Sequence, residues 1–232
     1  MTVEALIVKI KQRINKLDSQ DYDNLEIWQI LEYYNRAQKL FVRQNLHGLN
    51  TYREGDENSK RRIDDFSRLI TSIKPVLTKK DIYYEFPLPV SNYMCFKRID
   101  ITAEHCGKKR LMVCYLGQMS NVNNYLVNYQ KKPDFVWGET FATMSNGNVQ
   151  VYTNGEFDIS DLTFYYYRYP VDVAMANNYS LEYNSVVSND INPELPDDLV
   201  EVIISHTASL IGGDLKDDFG FQIGKSVSAE HN

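Results

Sequence analysis

The stretch Leu162-Thr-Phe-Tyr-Tyr-Tyr-Arg-Tyr-Pro170 decides how this chain is read. Alternation in an extended segment sends Leu162, Phe164, Tyr166 and Arg168 to one face and Thr163, Tyr165, Tyr167 and Tyr169 to the other. Aromatic side chains favour strands because they pack on the pleat, and Pro170 ends the run. A strand aromatic on both faces belongs to a sheet covered on both, by its own chain or by a neighbouring subunit. Arg168, on the face of Phe164 and Tyr166, requires an acidic or carbonyl partner. Base stacking on the tyrosines is the competing use, but such platforms are set in basic surroundings that the neighbouring sequence lacks.

Working backwards from this strand, period-two segments continue to about Lys80. DIYYEFPLP reads as an edge strand or an exit, given Pro87 and Pro89. FKRIDITAEH and RLMVCYLGQ make a hairpin across Cys106–Lys109, centred on Gly107. MSNVNNYLVNYQ predicts a short helix capped by Ser120, and PDFVWGETFATM returns to strand. NVQVYT, a turn at Asn154-Gly155, EFDIS and LTFYYYRYP then read as consecutive antiparallel hairpins.

Upstream the period is helical. Val3, Leu6, Ile7, Ile10, Ile14 and Leu17 form one apolar stripe with Thr2 as cap. A second helix is expected from Asp23 to about Gln44, with Glu26 as capping-box partner and a stripe from Ile27 through Tyr34 and Gln38 to Val42. A third is expected from Lys60 to Ile73, stopped by Pro75. Downstream of Pro170, residues 171–195 read as an extended polar loop. LPDDLVEVIISHTASLIGGDL is a helix, with Pro196 in its first turn, Asp197 and Asp198 complementing its dipole, and Gly212-Gly213 as its stop. The fold class expected is α+β. A helical bundle from the N-terminal helices (1–78) and the C-terminal helix (196–213) carries an antiparallel β-rich domain (79–170) inserted between them. The tail, 214–232, is too thin for a core of its own, so Phe219 and Phe221 are candidate anchors in a partner.

The composition excludes several functions. A net charge of −6 argues against general nucleic-acid binding and suits a surface that DNA slides past. No apolar run approaches a membrane span. The N-terminus has no secretory pattern, and three cysteines without a CxxC suit a reducing compartment. His105-Cys106 lacks zinc spacing; Asp214, Asp217 and Asp218 lack the glycine and closing glutamate of a calcium loop. His206 lies among aliphatic residues and reads as packed. No nucleophile, phosphate-loop or metalloprotease motif occurs, so no catalytic, cofactor or metal residue is expected. The basic clusters Lys60-Arg61-Arg62, Lys108-Lys109-Arg110 and Lys131-Lys132 sit at element ends. Candidate partner-contact residues are therefore Phe219, Phe221, Tyr165, Tyr167, Lys108, Lys109 and Arg110. An accessory protein binding nucleic acid through the tyrosines and basic tips is the alternative.

Several segments resemble one family. NKLDSQDYDNLEIWQILEYYNRAQKLFVRQNLHGLN and YREGDENSKRRIDDFSRLI look like the N-terminal helices of head–tail adaptor (ring) proteins of tailed phages, most like the crAss-like short-tailed group. YQKKPDF and YYYRYP resemble its Lys-Pro turn and late Tyr-Arg-x-Pro strand, and LPDDLVEVIISHTASLIGGDL its C-terminal helix. The resemblance implies a non-enzymatic virion part at the portal vertex, assembled in the host cytoplasm. It implies a ring, commonly twelvefold, that joins the portal protein to further tail rings or tube proteins and continues the DNA channel. Residues 171–194 match nothing in that pattern.

Overall fold

The computed structural model describes residues 1–17, 25–46, 66–89 and 91–214, and the fold is α+β. Two compact units divide the chain: 1–68 together with 170–232, and 69–169.

In the first unit, helix α1 (Val3–Leu17) buries Val3, Leu6, Ile7, Ile10 and Ile14. Thr2 caps it: its hydroxyl accepts from Ala5 N–H at 3.4 Å, and its carbonyl accepts from Leu6 N–H at 3.0 Å. Helix α2 (Ile27–Leu46) starts later than its pattern suggested, and Asp23 lies outside the described residues. Glu26 is the residue before the first turn, not the third residue inside it. Its N–H donates to the Gln29 side-chain oxygen at 3.1 Å, the reverse half of a capping box. Leu31, Tyr34, Ala37, Gln38, Phe41 and Val42 of the expected stripe are buried, while Ile27 at its start is half-buried.

The C-terminal helix, Asp197–Asp214, is buried on nearly every side and contacts both α1 and α2. Arg13 bridges Glu201 at 3.2 Å and also donates to the Ser205 hydroxyl, while Lys9 pairs with Glu201. Gly212 and Gly213 do not stop this helix; they lie in its last turn. Pro196 sits just before it, its carbonyl accepting from Val200 N–H at 3.0 Å.

Residues 171–195 are not an extended loop. They fold back as a miniature hairpin, Tyr179–Ser180 against Ser185–Val186, with a bridge between Ala174 and Ile191. Polar side chains of α2 hold the segment. Buried Asn35 accepts from Val173 N–H at 2.8 Å and donates to Val173 O at 3.1 Å, completing the backbone pairing that a strand would have supplied. Gln38 donates to Val171 O at 3.1 Å, and Lys39 pairs with Asp172 at 2.7 Å.

The second unit is one eight-stranded sheet. Its strands are β1 (Ile70–Ile73), β2 (Thr78–Lys79), β3 (Tyr83–Pro87), β4 (Tyr93–His105), β5 (Lys108–Leu116), β6 (Glu139–Ser145), β7 (Asn148–Tyr152) and β8 (Asp158–Arg168). Their order is β1-β8-β4-β5-β6-β7-β3-β2, antiparallel except between β5 and β6. Three expectations are corrected here. Ile70–Ile73 is a strand paired with Tyr167–Phe164, not the end of a third helix; residues 60–65 lie outside the described residues. Asp158–Ser160 of EFDIS runs on without a break into LTFYYYR as one strand, and β7 and β8 are not neighbours, so Asn154-Gly155 carries the chain across the sheet rather than closing a hairpin. Residues 135–138 are a turn before β6, not part of a strand.

The Cys106-Gly107 hairpin is as expected, with φ of +49° and +73° at its two centres. The sheet curls until opposite ends of its order meet across the interior. The Phe86 and Phe164 rings stand edge-on at 5.6 Å, and the Tyr84 hydroxyl donates to Asp158 at 2.7 Å. Tyr84, Phe86, Ile99, Ile101, Met112, Val149, Val151, Leu162, Phe164 and Tyr166 line this core. Ser120 caps nothing: a 3-10 turn (Met119–Asn121) leads directly into the short helix α3 (Val122–Val127), without a side-chain cap bond.

Candidate interaction surface

The outer face of the sheet is covered in two different ways and left bare in a third place. Over β8, the cover is basic. A register shift between Phe96 and Arg98 turns both Lys97 and Arg98 outward. Arg98 lies over the Tyr165 ring at 4.6 Å, and Lys97 over Tyr167 at 5.3 Å while donating to its hydroxyl at 3.1 Å. Tyr167 is only 4% exposed. The two-sided aromatic strand is thus covered by its own chain, and Tyr167 is withdrawn as a contact residue. Arg168 finds a carbonyl partner, donating to Tyr169 O at 3.1 Å.

Over β6 the cover is α3. Tyr125 packs on Phe141 with centroids 5.0 Å apart, and Phe141 stacks on Tyr152 at 4.6 Å. Gly117 permits the approach, since a Cβ there would meet Tyr125 at 3.0 Å. Four consecutive residues of β6, Thr140–Thr143, are therefore buried.

Over β5 there is no cover among the described residues. Met112 and Cys114 point inward, while Leu111, Val113 and Tyr115 alternate outward and stay exposed, Leu111 at 76%. Beside them stands the 134–138 turn, with Val136 exposed and Trp137 at 71%. Its shape is set locally. The Asp134 carboxylate accepts from Val136 N–H at 2.6 Å and Trp137 N–H at 2.9 Å, and Gly138 adopts φ +74°. Two attachments fix it to β5: Val113 N–H donates to Gly138 O at 2.8 Å, and the Arg110 guanidinium donates to Phe135 O at 3.3 Å and to Val136 O.

The basic tip divides accordingly. Arg110 positions the turn, Lys109 faces Glu104 at 3.7 Å, and Lys108 is exposed. Two shallow hollows adjoin the face, about 290 Å³ beside Tyr115, Tyr125 and Lys131 and about 180 Å³ beside Tyr129, Lys132 and Trp137. They share Gln130 and Glu139. Phe219 and Phe221 lie outside the described residues. The sequence reading passed over Leu111, Val113, Tyr115, Val136 and Trp137. The signal was present in RLMVCYL, which is apolar at both parities like the tyrosine strand.

Burial pushes the Cys114 thiol up to about 12 and also raises Cys95, so neither is a ready nucleophile. His206 packs on Phe41 with centroids 5.6 Å apart, and burial lowers its pKa. Among the described residues no three His, Cys, Asp or Glu side chains cluster as a metal site, and no helix is long and apolar enough to cross a membrane. No protein-family model matches the chain, and no curated protein matches it.

Proposed function

We propose that this protein is a structural ring subunit joining the portal of a tailed phage to its tail. One observation carries most of the weight: the bare outer face of β5 with Val136 and Trp137. Exposed Leu111, Val113 and Tyr115 on one strand, with exposed Val136 and Trp137 in the turn attached to it and polar residues among them, have the make-up of a protein–protein contact. The two hollows beside it are too small and open for the enclosed pocket that a substrate usually needs. The acidic balance of the chain suits a channel wall that DNA passes without sticking, and the resemblance of the helical segments points to the same family of parts. The test is the mass and negative-stain appearance of the full chain, alone and mixed with the portal protein. An annular assembly is expected in at least one of the two. A strict monomer in both overturns the proposal.

A further inference from the structure

We propose that Glu139, with the open rings of Trp137 and Tyr115 on either side of it, receives an arginine side chain from a partner protein. The inference does not depend on the ring reading. It names one chemical group that the partner must carry, whatever the assembly.

The sheet unit itself shows what such a site takes. Three times it sets a basic side chain over an aromatic ring and against a carboxylate. Lys79 lies 5.9 Å from the Tyr84 ring centre and pairs with Asp158. Arg98 lies 4.6 Å from that of Tyr165 and pairs with Asp100 at 3.1 Å. Lys132 lies 5.5 Å from that of Tyr129 and pairs with Glu156 at 3.1 Å. In each, ring face and carboxylate attract the same cation. Glu139 has the ring and the carboxylate without the cation. It is exposed, stands opposite Val113 in the β5–β6 register, and lines both hollows; Trp137 shares one with it and Tyr115 the other. Those two rings are 71% and 56% exposed, and neither meets another ring or a cation among the described residues.

Of the nine carboxylates in residues 69–169, five have a basic partner. Glu85 accepts from Asn148 and Gln150, and Asp134 from its own turn. Asp81 and Glu139 remain unpaired among the described residues. Asp81 directly follows Lys80, and the ring in its hollow, Tyr83, packs on Tyr152. Glu139 is different, because the cations near it are engaged elsewhere. Lys132 is held by Glu156, and Lys131 lies over Tyr125 at 5.7 Å without an ion pair to Glu139. An unpaired carboxylate repels phosphate, so nucleic acid does not suit the site. Hollows too open to enclose a substrate suit the tip of one side chain held from outside. A guanidinium fits better than an ammonium: it is flat enough to stack on indole, less strongly hydrated, and offers two parallel N–H groups to a carboxylate.

Titration of the full chain with a blocked tripeptide, arginine between two glycines, tests this. The same peptide with citrulline keeps the shape and removes the charge. The chain has two tryptophans, so nitrogen-15 spectra give two indole N–H signals: Trp137 reports on the site, and Trp28 is the internal control. Trp137→Phe assigns them. The Trp137 signal is expected to move and the Trp28 signal to stay, with arginine binding at least about fivefold tighter than citrulline. That preference should shrink at about 500 mM salt. Glu139→Gln should abolish it, and Lys131→Met should keep or strengthen it. Both positions are exposed, and circular dichroism checks that each variant folds.

Equal binding of the two peptides, an unmoved Trp137 signal with both, or a preference that survives Glu139→Gln overturns the inference. So does a preference that appears only in Lys131→Met, which would mean that the chain fills the site with its own lysine. Each of these results leaves the ring reading to its separate test by assembly mass.

Discussion

His206 places an imidazole in the helical unit with Nε2 buried and without a hydrogen-bond partner among the described residues. Burial disfavours the charged form, so its folded pKa lies below the ordinary value of 6.5. The unfolded chain then takes up a proton at a pH where the folded chain does not, and stability falls as pH drops below about 6.5. The loss ends once the folded imidazole itself protonates. One proton sets a ceiling of about 1.4 kcal/mol per pH unit on the slope. Asp158, held down by its bonds from Lys79 and Tyr84, acts only below the usual carboxylate value of 3.8, so the two windows stay apart. Urea midpoints measured from pH 8 to pH 5 should decline in wild type and flatten in His206→Leu; an equal decline in both would exclude His206 as the source. The thiols supply a second residue-scale test. Cys106 is exposed on the hairpin, while the Cys114 thiol is buried and pushed up to about 12. A thiol reagent at neutral pH should modify Cys106 quickly and Cys114 only on unfolding, as read by mass spectrometry of peptides.

At the scale of elements, the turn that presents Trp137 is held by a left-handed glycine and by Arg110. Gly138 has φ +74°, and a Cβ there would lie 2.8 Å from Arg110 Nε. Gly138→Ala should cost about 1–3 kcal/mol in thermal or urea unfolding, from the left-handed backbone and the clash together. Adding Arg110→Ala should recover the clash but not the backbone part, a coupling that a double-mutant cycle measures. Asn35→Ala should cost about 2–3 kcal/mol, because it strands the Val173 N–H and C=O that Asn35 satisfies. These elements also show what one sequence discloses. The α1 and α2 stripes and the Cys106-Gly107 turn were legible because local periodicity and turn chemistry fix them. Ile70–Ile73 was not: its apolar spacing suits a helix, and only the long-range pairing with Tyr167–Phe164 makes it a strand. Asn154-Gly155 misled for the same reason, since a turn signal does not say which strands lie beside it. The segment 171–195 looked loose because its bonding partners, Asn35 and Gln38, sit more than a hundred residues away. Lys97 and Arg98 looked like ordinary surface charge until the register shift set them on the tyrosines.

On the scale of the whole chain, the sheet unit has a topology that argues for independent folding. Its first strand, Ile70–Ile73, pairs with its last, at Phe164–Tyr167, so the two ends of residues 69–169 leave side by side. Its core is its own: Phe86, Ile101, Val149, Val151, Phe164 and their neighbours are buried within these residues. A fragment of about a hundred residues with such a core is large enough to fold alone. Its slowest step should be sheet assembly, because β8 must pair with β4 and with β1 across a long loop of chain. The excised fragment 69–169 is therefore expected to unfold in one cooperative transition, with coincident tyrosine fluorescence and far-ultraviolet dichroism. It should keep the slow Cys114 labelling of the full chain, because that thiol faces the fragment's interior. Val113→Thr, on the outer face and still β-branched, should leave the transition within about 0.5 kcal/mol, whereas Phe164→Ala should lower it by about 3–5 kcal/mol. Non-coincident transitions, or Cys114 labelling at the rate of Cys106, would mean that the sheet depends on the helices for its fold. The β5 face would then be shaped by the whole chain rather than by the unit that carries it.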